Sequence, residues 1–276
     1  MADPRFLPLL LATEHGEFDT AAEAVALGLA RRWQQPLAAV LPITSNAELE
    51  SVAPQVVARR EAEAAAQRTA LEAEAADQGV VLQPQVRRGP APAVEILAET
   101  ARLGSGLLVI RRRGRRGLLA NLLVGEMVNQ VLGEAACSVL VCPVGSALWQ
   151  RRVLLAIDPL APDAAATSAA IALAADAGLP LDIACGVVPG RTGATQDGAA
   201  RAALQAAQAQ AQQAGVAAEG HVLQHYRVHD ALVRLAAARG ADLIVLGRRR
   251  AGALGSLAHK VLGLAACPVL IHRAGA

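Results

Sequence analysis

A chain of 276 residues is long enough for two domains of ordinary size, and its formal charge of +2 at pH 7 gives no reason to expect nucleic acid or membranes as partners. Hydrophobic residues make up 54% of the chain and aromatic residues only 2%, which indicates a core of leucine, valine and alanine with close helix–sheet contacts. The four cysteines form no CxxC pair and no stretch is long enough to span a bilayer, so we expect a cytoplasmic protein without a zinc ribbon or a redox motif.

In the first half of the chain, short apolar runs alternate with helical segments. The runs predict five buried strands, over residues 6–12, 37–43, 80–86, 107–110 and 138–144. A capping-box pattern from Thr20 to Glu23 opens the first helix. Its apolar residues recur at helical spacing, at Val25, Leu29 and Trp33. A segment rich in alanine and glutamate over residues 55–78, and another that begins at Pro92, predict two further helices.

The second half has the same organisation. Its apolar runs predict strands over residues 153–157, 181–188, 216–223, 243–246 and 268–271. Residues 198–214 have a helical composition and stop at Gly215, the next helix ends near Gly240, and another starts near Ser256. The order in each half is β-α-β-α-β-α-β-α-β. We therefore predict an α/β fold of two tandem repeats, each a five-stranded parallel open sheet with helices on both faces.

An internal repeat supports this division. Residues 131–141 read VLGEAACSVLV and residues 261–271 read VLGLAACPVLI. Upstream of them lie GLLVIRRRG, at residues 106–114, and DLIVLGRRR, at residues 242–250. A repeat of this length indicates two copies of one domain. We place the first domain at residues 1–146 and the second at residues 150–276, with residues 145–151 as the linker.

Ligands of open parallel sheets bind outside the carboxyl ends of the strands, and two such ends are notable in the second half. The first strand ends in Asp158, which could accept hydrogen bonds from a ribose or a base. The fourth strand ends in Gly247, and three arginines and a loop lead to a helix that starts near Ser256. A strand, a glycine-containing loop and a helix N-terminus in this order predict an anion site.

With these features the chain resembles the universal stress protein family, in its tandem two-domain form. The first strand of that family ends in aspartate, and its fourth strand is followed by G-x-x-G-x9-G-[ST], a helix and a segment like CPVLVV. The resemblance covers nearly the whole chain and is most specific at DLIVLGRRR, GSLAHKVL and CPVLI. It implies an adenine-nucleotide-binding-like α/β fold and a non-enzymatic role in the stress response. Some members of the family bind ATP, whereas others lack the motif and bind none.

The second copy keeps part of the family's motif. Asp158 matches the aspartate and Gly247 matches the first glycine, while Gly255 and Ser256 match the final pair. The predicted nucleotide-binding set also includes their neighbours Leu246, Arg248, Arg249, Arg250 and Leu257. Arg250 stands at the second glycine, and four residues separate it from Gly255 where the family has nine. Because this shorter loop has fewer backbone donors, we expect AMP or ADP to fit better than ATP, which would bind with Mg²⁺.

The first copy departs further from the motif. Thr13 stands at the aspartate and Arg111 at the first glycine. Gly114 and Gly125 keep the second and third glycines, so the resemblance makes them the candidate binding residues of this copy. Glu126 replaces the Ser/Thr and places a negative charge where a phosphate would bind. We therefore expect weaker nucleotide binding in the first domain than in the second.

Other patterns have simpler explanations. The basic run at residues 111–116 contains no aromatic residue, which favours a solvated loop or a small-anion site over nucleic acid. His221, His225 and His229 are spaced by four, but the repeat places the first in a strand and the last at a helix start. They cannot share a helical face, so we predict no metal site there. Catalytic motifs such as G-x-S-x-G, HExxH, an intact P-loop and the Rossmann fingerprint do not occur.

Three functions remain open. The first is a non-enzymatic stress-response protein that binds AMP, ADP or ATP in its second domain. The second is a weak ATP-hydrolysing switch that uses Asp158 and the loop at residues 248–250. The third is a protein-interaction scaffold with two vestigial sites, whose partner the sequence does not name. The resemblance also implies that the last strands, at about 138–144 and 268–272, pair in an internal pseudo-dimer, and that two chains can associate as a homodimer.

Overall fold

A computed structural model of the chain describes residues 3–112, 124–190, 193–248 and 255–273. The described residues form two compact units, the first from residues 3–112 and 125–147 and the second from residues 148–190, 193–248 and 255–273. Each unit is a parallel five-stranded sheet covered by helices. The predicted fold class, two tandem α/β repeats, is confirmed.

The first unit has the predicted succession of strands and helices. Its strands are β1 (Leu9–Ala12), β2 (Leu37–Thr44), β3 (Leu82–Gly89), β4 (Leu107–Arg111) and β5 (Ser138–Cys142). Its helices are α1 (Thr20–Trp33), α2 (Ala47–Val52), α3 (Pro54–Asp77), α4 (Pro92–Leu103) and α5 (Glu126–Glu134). The strands are parallel in the order β3-β2-β1-β4-β5. The order reverses between β1 and β4, which is where an open sheet of this kind forms its ligand crevice.

The second unit repeats this arrangement. Its strands are β6 (Val153–Ile157), β7 (Leu181–Val187), β8 (Ala218–Gln224), β9 (Leu243–Gly247) and β10 (Val269–His272). Its helices are α6 (Ala164–Ala177), α7 (Gly193–Gln213), α8 (Val228–Arg239) and α9 (Ser256–Leu264). The strands are parallel in the order β8-β7-β6-β9-β10, so the reversal lies between β6 and β9.

Burial differs between the central and the edge strands. Strands β1, β4 and β5 are buried along their whole length, as their continuous apolar runs predicted. Strands β3 and β8 each have a neighbour on one side only within their unit, and exposed residues recur along both. The prediction that every strand is buried on both faces is therefore wrong for these two. Their outer positions carry polar side chains because water reaches one face of an edge strand.

Two predictions at the start of the first unit are wrong. The run at residues 6–12 is a strand only from Leu9, because Pro4–Phe6 forms a 3-10 turn. The capping box is absent as well, because Asp19 is the N-cap of α1 and the buried Glu23 carboxylate instead accepts a hydrogen bond from Thr13. The rest of the α1 prediction holds, since its spaced apolar residues Val25, Leu29 and Trp33 are all buried.

Cysteines and histidines lie where the repeat pattern placed them. Cys137, Cys142 and Cys185 are buried free thiols and Cys267 is partly buried, in keeping with a role as small apolar residues. The spaced histidines begin in β8 and end in α8, so they share no helical face. Within the described part of the chain, no helix is both long and apolar enough to cross a membrane.

Asp182 is a fully buried acidic residue in strand β7 of the second unit. Its carboxylate accepts hydrogen bonds from Arg152 at 3.1 Å, from Arg239 at 3.1 and 3.2 Å, and from His221 at 3.2 Å. Burial acts to raise the pKa of this carboxyl, but the hydrogen bonds and the charges of the two arginines outweigh burial. Its pKa therefore lies below the ordinary value of 3.8.

We expect Asp182→Asn to destabilise the second unit at neutral pH and to cost less in acid. Because the pKa of Asp182 is lower in the folded than in the unfolded chain, its stabilising contribution is complete well above pH 3.8 and is lost as the pH falls through the folded pKa. Urea unfolding of both proteins at neutral pH and near pH 3 measures this, and the difference between them should narrow in acid. A difference of equal size at both pH values would contradict the electrostatic explanation.

Candidate functional site

A cavity of about 1060 Å³ opens at the carboxyl ends of the strands of the second unit. Residues at the ends of β6, β7 and β9 line it together with the starts of α6 and α9. It therefore lies at the reversal of strand order, where the sequence predicted a ligand. Of the predicted site residues that are described, the cavity brings together Asp158, Leu246, Gly247, Arg248, Gly255, Ser256 and Leu257. Arg249, Arg250 and Gly114 lie outside the described residues.

Asp158 follows β6 directly and is half-buried in the cavity wall. A tight turn holds it: Oδ1 accepts a hydrogen bond from the Leu160 amide at 3.0 Å, and its carbonyl oxygen accepts one from the Ala161 amide at 3.1 Å. Burial, reinforced by the charge of Asp158, raises the pKa of the neighbouring Cys185 thiol to about 11. The cavity thus presents a positioned carboxylate, and the buried thiol behind it stays protonated at neutral pH.

Gly247 ends β9 where a larger residue would collide with its surroundings. A Cβ atom built on it would lie 2.5 Å from Oδ2 and 2.9 Å from Cβ of Asp163. Asp163 cannot easily move, since it is the N-cap of α6 and its Oδ1 accepts a hydrogen bond from the Ala166 amide at 3.0 Å. The absent side chain leaves the backbone of Gly247 open to a ligand in the cavity.

The start of α9 forms the opposite wall. Gly255 is the N-cap and has no side chain that could accept from the first backbone N–H groups, and Ser256 is the first helical residue. These donors, with the helix dipole, favour a negatively charged group. Arg248 adds a partly buried guanidinium, whose pKa is lowered by burial and by the nearby charge of Arg273. This wall is electropositive, whereas Asp158 on the other side is acidic.

The equivalent crevice of the first unit can be aligned through the strand register. Leu9 pairs with Leu107 at the start of β4, and Val153 pairs with Leu243 at the start of β9, so Leu9 and Val153 are equivalent. Five residues further on in each unit, Glu14 is the counterpart of Asp158. The sequence alignment that put Thr13 at this position is therefore wrong by one residue. Thr13 is instead a buried residue that directly follows β1.

Arg111 fills the crevice of the first unit. It occupies the position of Gly247 and is buried, with 7% of its surface exposed. Its Nη1 lies 2.5 Å from Oδ2 of Asp19 and its Nη2 lies 2.6 Å from Oε2 of Glu14. Asp19 is the N-cap of α1, the counterpart of Asp163, so the guanidinium joins the two acidic positions that border the cavity in the second unit.

The residues just before α5 and α9 have the same backbone conformation, although the first helical residues differ. Gly125 and Gly255 are both N-caps, with φ and ψ of −61° and 151° in the first and −60° and 149° in the second. Glu126 then begins α5 where Ser256 begins α9. The predicted alignment of these two positions is thus confirmed. That the acidic side chain of Glu126 disfavours an anion in the first unit stays a prediction.

Sequence reasoning missed most of the other cavity-wall residues, and two of them, Asp163 and Gly186, do have a signal in the sequence. A signal for Asp163 exists, because an aspartate before an alanine-rich apolar segment is a common N-cap. A signal for Gly186 is the glycine near the end of a strand, which often marks a close approach of another element. A Cβ atom built on Gly186 would lie 2.1 Å from Cγ1 of Val228 in α8. Gly186 thus lets α8 pack close to the cavity.

Comparisons with known proteins point to one family. The model of the universal stress protein family matches residues 6–143 and residues 150–273. A universal stress protein from Archaeoglobus fulgidus DSM 4304 is 18% identical over 96% of this chain and 97% of its own, with a TM-score of 0.74. A functionally unknown protein from Pseudomonas aeruginosa PAO1 is 16% identical over 98% of this chain and 94% of its own, with a TM-score of 0.67.

A universal stress protein in complex with cAMP is 28% identical over 44% of this chain and 95% of its own, with a TM-score of 0.37. No curated protein matches the chain significantly. The two likenesses that span the whole chain show its fold. The family model matches once in each unit and covers nearly every residue, so this chain belongs to the universal stress protein family, in its tandem two-domain form.

Proposed function

We propose that this universal stress protein is a non-enzymatic stress-response protein whose second unit binds one adenine nucleotide. The observation that carries the proposal is the polarity of the cavity in that unit. An acidic group, Asp158, stands on one side, and a glycine backbone, a helix N-terminus and Arg248 stand on the other. A nucleotide has matching parts, since its sugar hydroxyls donate hydrogen bonds and its phosphate is an anion.

The walls suggest how the nucleotide would lie. Leu160, Val188 and Leu223 line the cavity with apolar surface that suits a base. The Asp158 carboxylate would accept hydrogen bonds from the ribose. The phosphate would then lie against Gly247 and the first N–H groups of α9, with the Arg248 guanidinium close by.

A short phosphate chain suits this cavity better than a long one. Asp163 places its carboxylate beside Gly247, so each negative charge that a longer phosphate chain adds there increases the repulsion unless a cation comes with it. We therefore expect AMP or ADP to bind more tightly than ATP, and ATP to require Mg²⁺. We expect no ATP turnover, because the sequence contains none of the catalytic motifs named above, an intact P-loop among them. ATP that falls steadily in a long incubation with Mg²⁺ and pure protein would contradict this.

Thermal unfolding of Asp158→Ala tests the proposal. A nucleotide present at tenfold its dissociation constant stabilises the native state by about 1.4 kcal/mol, which raises the Tm of the wild type by a few degrees. The variant should lose most of this shift with AMP, ADP and ATP. Asp197→Ala is the matched control, because Asp197 lies in the same unit and its carboxylate contacts Gln224 outside the cavity. An equal shift in the wild type and Asp158→Ala would remove Asp158 from the site.

A further inference from the structure

A second cluster of chemically active side chains lies in the first unit, apart from the nucleotide cavity. His15 in the loop after β1, Glu23 in α1 and Glu74 in α3 each offer one ligand atom, and these three atoms lie within 4.8 Å of one another. The Nδ1 atom of His15 is 3.0 Å from Oε1 of Glu23. One imidazole and two carboxylates from three different parts of the fold thus lie close together.

The cluster is held in place by neighbouring groups. The Thr13 hydroxyl donates a hydrogen bond to Oε1 of Glu23 at 2.5 Å and accepts one from the His15 amide at 2.8 Å. On the third element, the Gln78 amide donates to Oε1 of Glu74 at 3.4 Å. Partners of this kind orient metal ligands and fix them before the ion binds.

Buried carboxylates lie at and near the cluster, and the imidazole of His15 offsets the charge of Glu23 only when it is protonated. Glu23 is 2% exposed, and Asp19, four residues earlier on the same face of α1, is 1% exposed. Arg111 neutralises Asp19 and Glu14, with which both of its terminal nitrogens are paired, so it is not paired with Glu23. Among the described residues, the Oδ1 atom of Asp19 is buried with no hydrogen-bond partner. Buried carboxylates of this kind are costly unless a positive charge offsets them.

We propose that the first unit binds one divalent metal ion of the zinc type through Nδ1 of His15 and the carboxylates of Glu23 and Glu74. One nitrogen and two oxygen ligands are a set that Zn²⁺ accepts, with water in the fourth position. The site is independent of the nucleotide proposed for the second unit. It would give the first unit a ligand of opposite charge to a phosphate.

We do not expect a similar cluster in the second unit to bind a metal ion. Asp182, Glu219 and His221 also have ligand atoms within 4.8 Å of one another. There, however, two guanidiniums donate to Asp182, and one of them, from Arg239, also pairs with Glu219. Positive charges already satisfy these carboxylates and would repel a metal ion. This cluster therefore provides a matched control.

The test is a calorimetric titration of Zn²⁺ into the full chain after removal of bound metal with EDTA, without nucleotide. We expect one ion per chain, and at least about a tenfold loss of affinity in His15→Ala and in Glu74→Gln. His221→Ala should bind as the wild type does. Thermal unfolding supplies a second readout, in which Zn²⁺ raises the Tm of the wild type but not that of Glu74→Gln.

Two outcomes would overturn the metal site. One is a wild type that takes up no Zn²⁺, and the other is equal affinity in the wild type, His15→Ala and Glu74→Gln. Circular dichroism of each variant without metal shows whether it is folded. Glu74 is only partly buried and its replacement by glutamine keeps its shape, so this variant remains informative even where His15→Ala fails to fold.

Discussion

Replacing Arg111 with alanine is expected to destabilise the first unit by about 3–5 kcal/mol, which is the usual cost of removing one partner from a buried ion pair. The guanidinium is buried and is the partner of both Asp19 and Glu14. Asp19 is 1% exposed, so without Arg111 its charge would stay buried and unpaired. Urea unfolding followed by tryptophan fluorescence measures the loss. A Trp149→Phe background leaves Trp33 as the single tryptophan, which reports on the first unit.

Two further variants isolate the cause of this loss. Arg59→Ala is the matched control, because Arg59 has 82% of its side chain exposed and pairs with Glu63 on the surface, so the expected change is below about 1 kcal/mol. Adding Asp19→Asn to Arg111→Ala should recover part of the stability, since it removes the unpaired charge. A loss after Arg111→Ala no larger than that of Arg59→Ala would contradict the buried ion pair.

Replacing Gly247 with arginine should abolish nucleotide binding in the second unit. The substitution copies the first unit, in which an arginine at this position reaches the counterparts of Asp158 and Asp163. The new side chain would occupy the part of the cavity next to β9 and would pair with both carboxylates. We expect the affinity for AMP to fall at least about 100-fold, or about 2.7 kcal/mol. The first unit accommodates an arginine here, but in the second unit the added Cβ must displace Asp163, so circular dichroism without nucleotide checks that the variant is folded.

Gly198→Arg is the control for the added arginine. Gly198 lies exposed in α7, and a Cβ atom built on it meets nothing within 4 Å, so this variant adds the same charge far from any collision. Its affinity for AMP should match that of the wild type. If Gly247→Arg also binds AMP like the wild type, the nucleotide lies somewhere other than the cavity.

The repeat made most of the fold predictable. Two copies of one apolar pattern gave the order of strands and helices, and the motif placed Gly247, Gly255 and Ser256 at the ends of the correct elements. Strand ends were less accurate where the outer face is polar, as in β3, because hydrophobic periodicity weakens at a sheet edge. The capping box failed since Glu23 is drawn into a buried contact with Thr13, which lies ten residues earlier in the chain.

The sequence did not predict that Arg111 occupies the crevice of the first unit. Arg111 opens a run of arginines, and such a run is typical of a solvated loop, yet Arg111 itself is buried. Its partner Asp19 lies 92 residues away in the chain, a separation at which local patterns carry no information. The one-residue error at Thr13 has a similar origin, because only the register of β1 against β4 identifies Glu14 as the counterpart of Asp158.

The proposed function requires one nucleotide site per chain, in the second unit. Equilibrium dialysis of the full chain against labelled AMP measures the number of sites directly. We expect one AMP per chain, retained in Gly198→Arg and lost in both Asp158→Ala and Gly247→Arg. Two AMP per chain would show that Arg111 does not close the first crevice, and no bound AMP would contradict the proposed AMP site in the second unit.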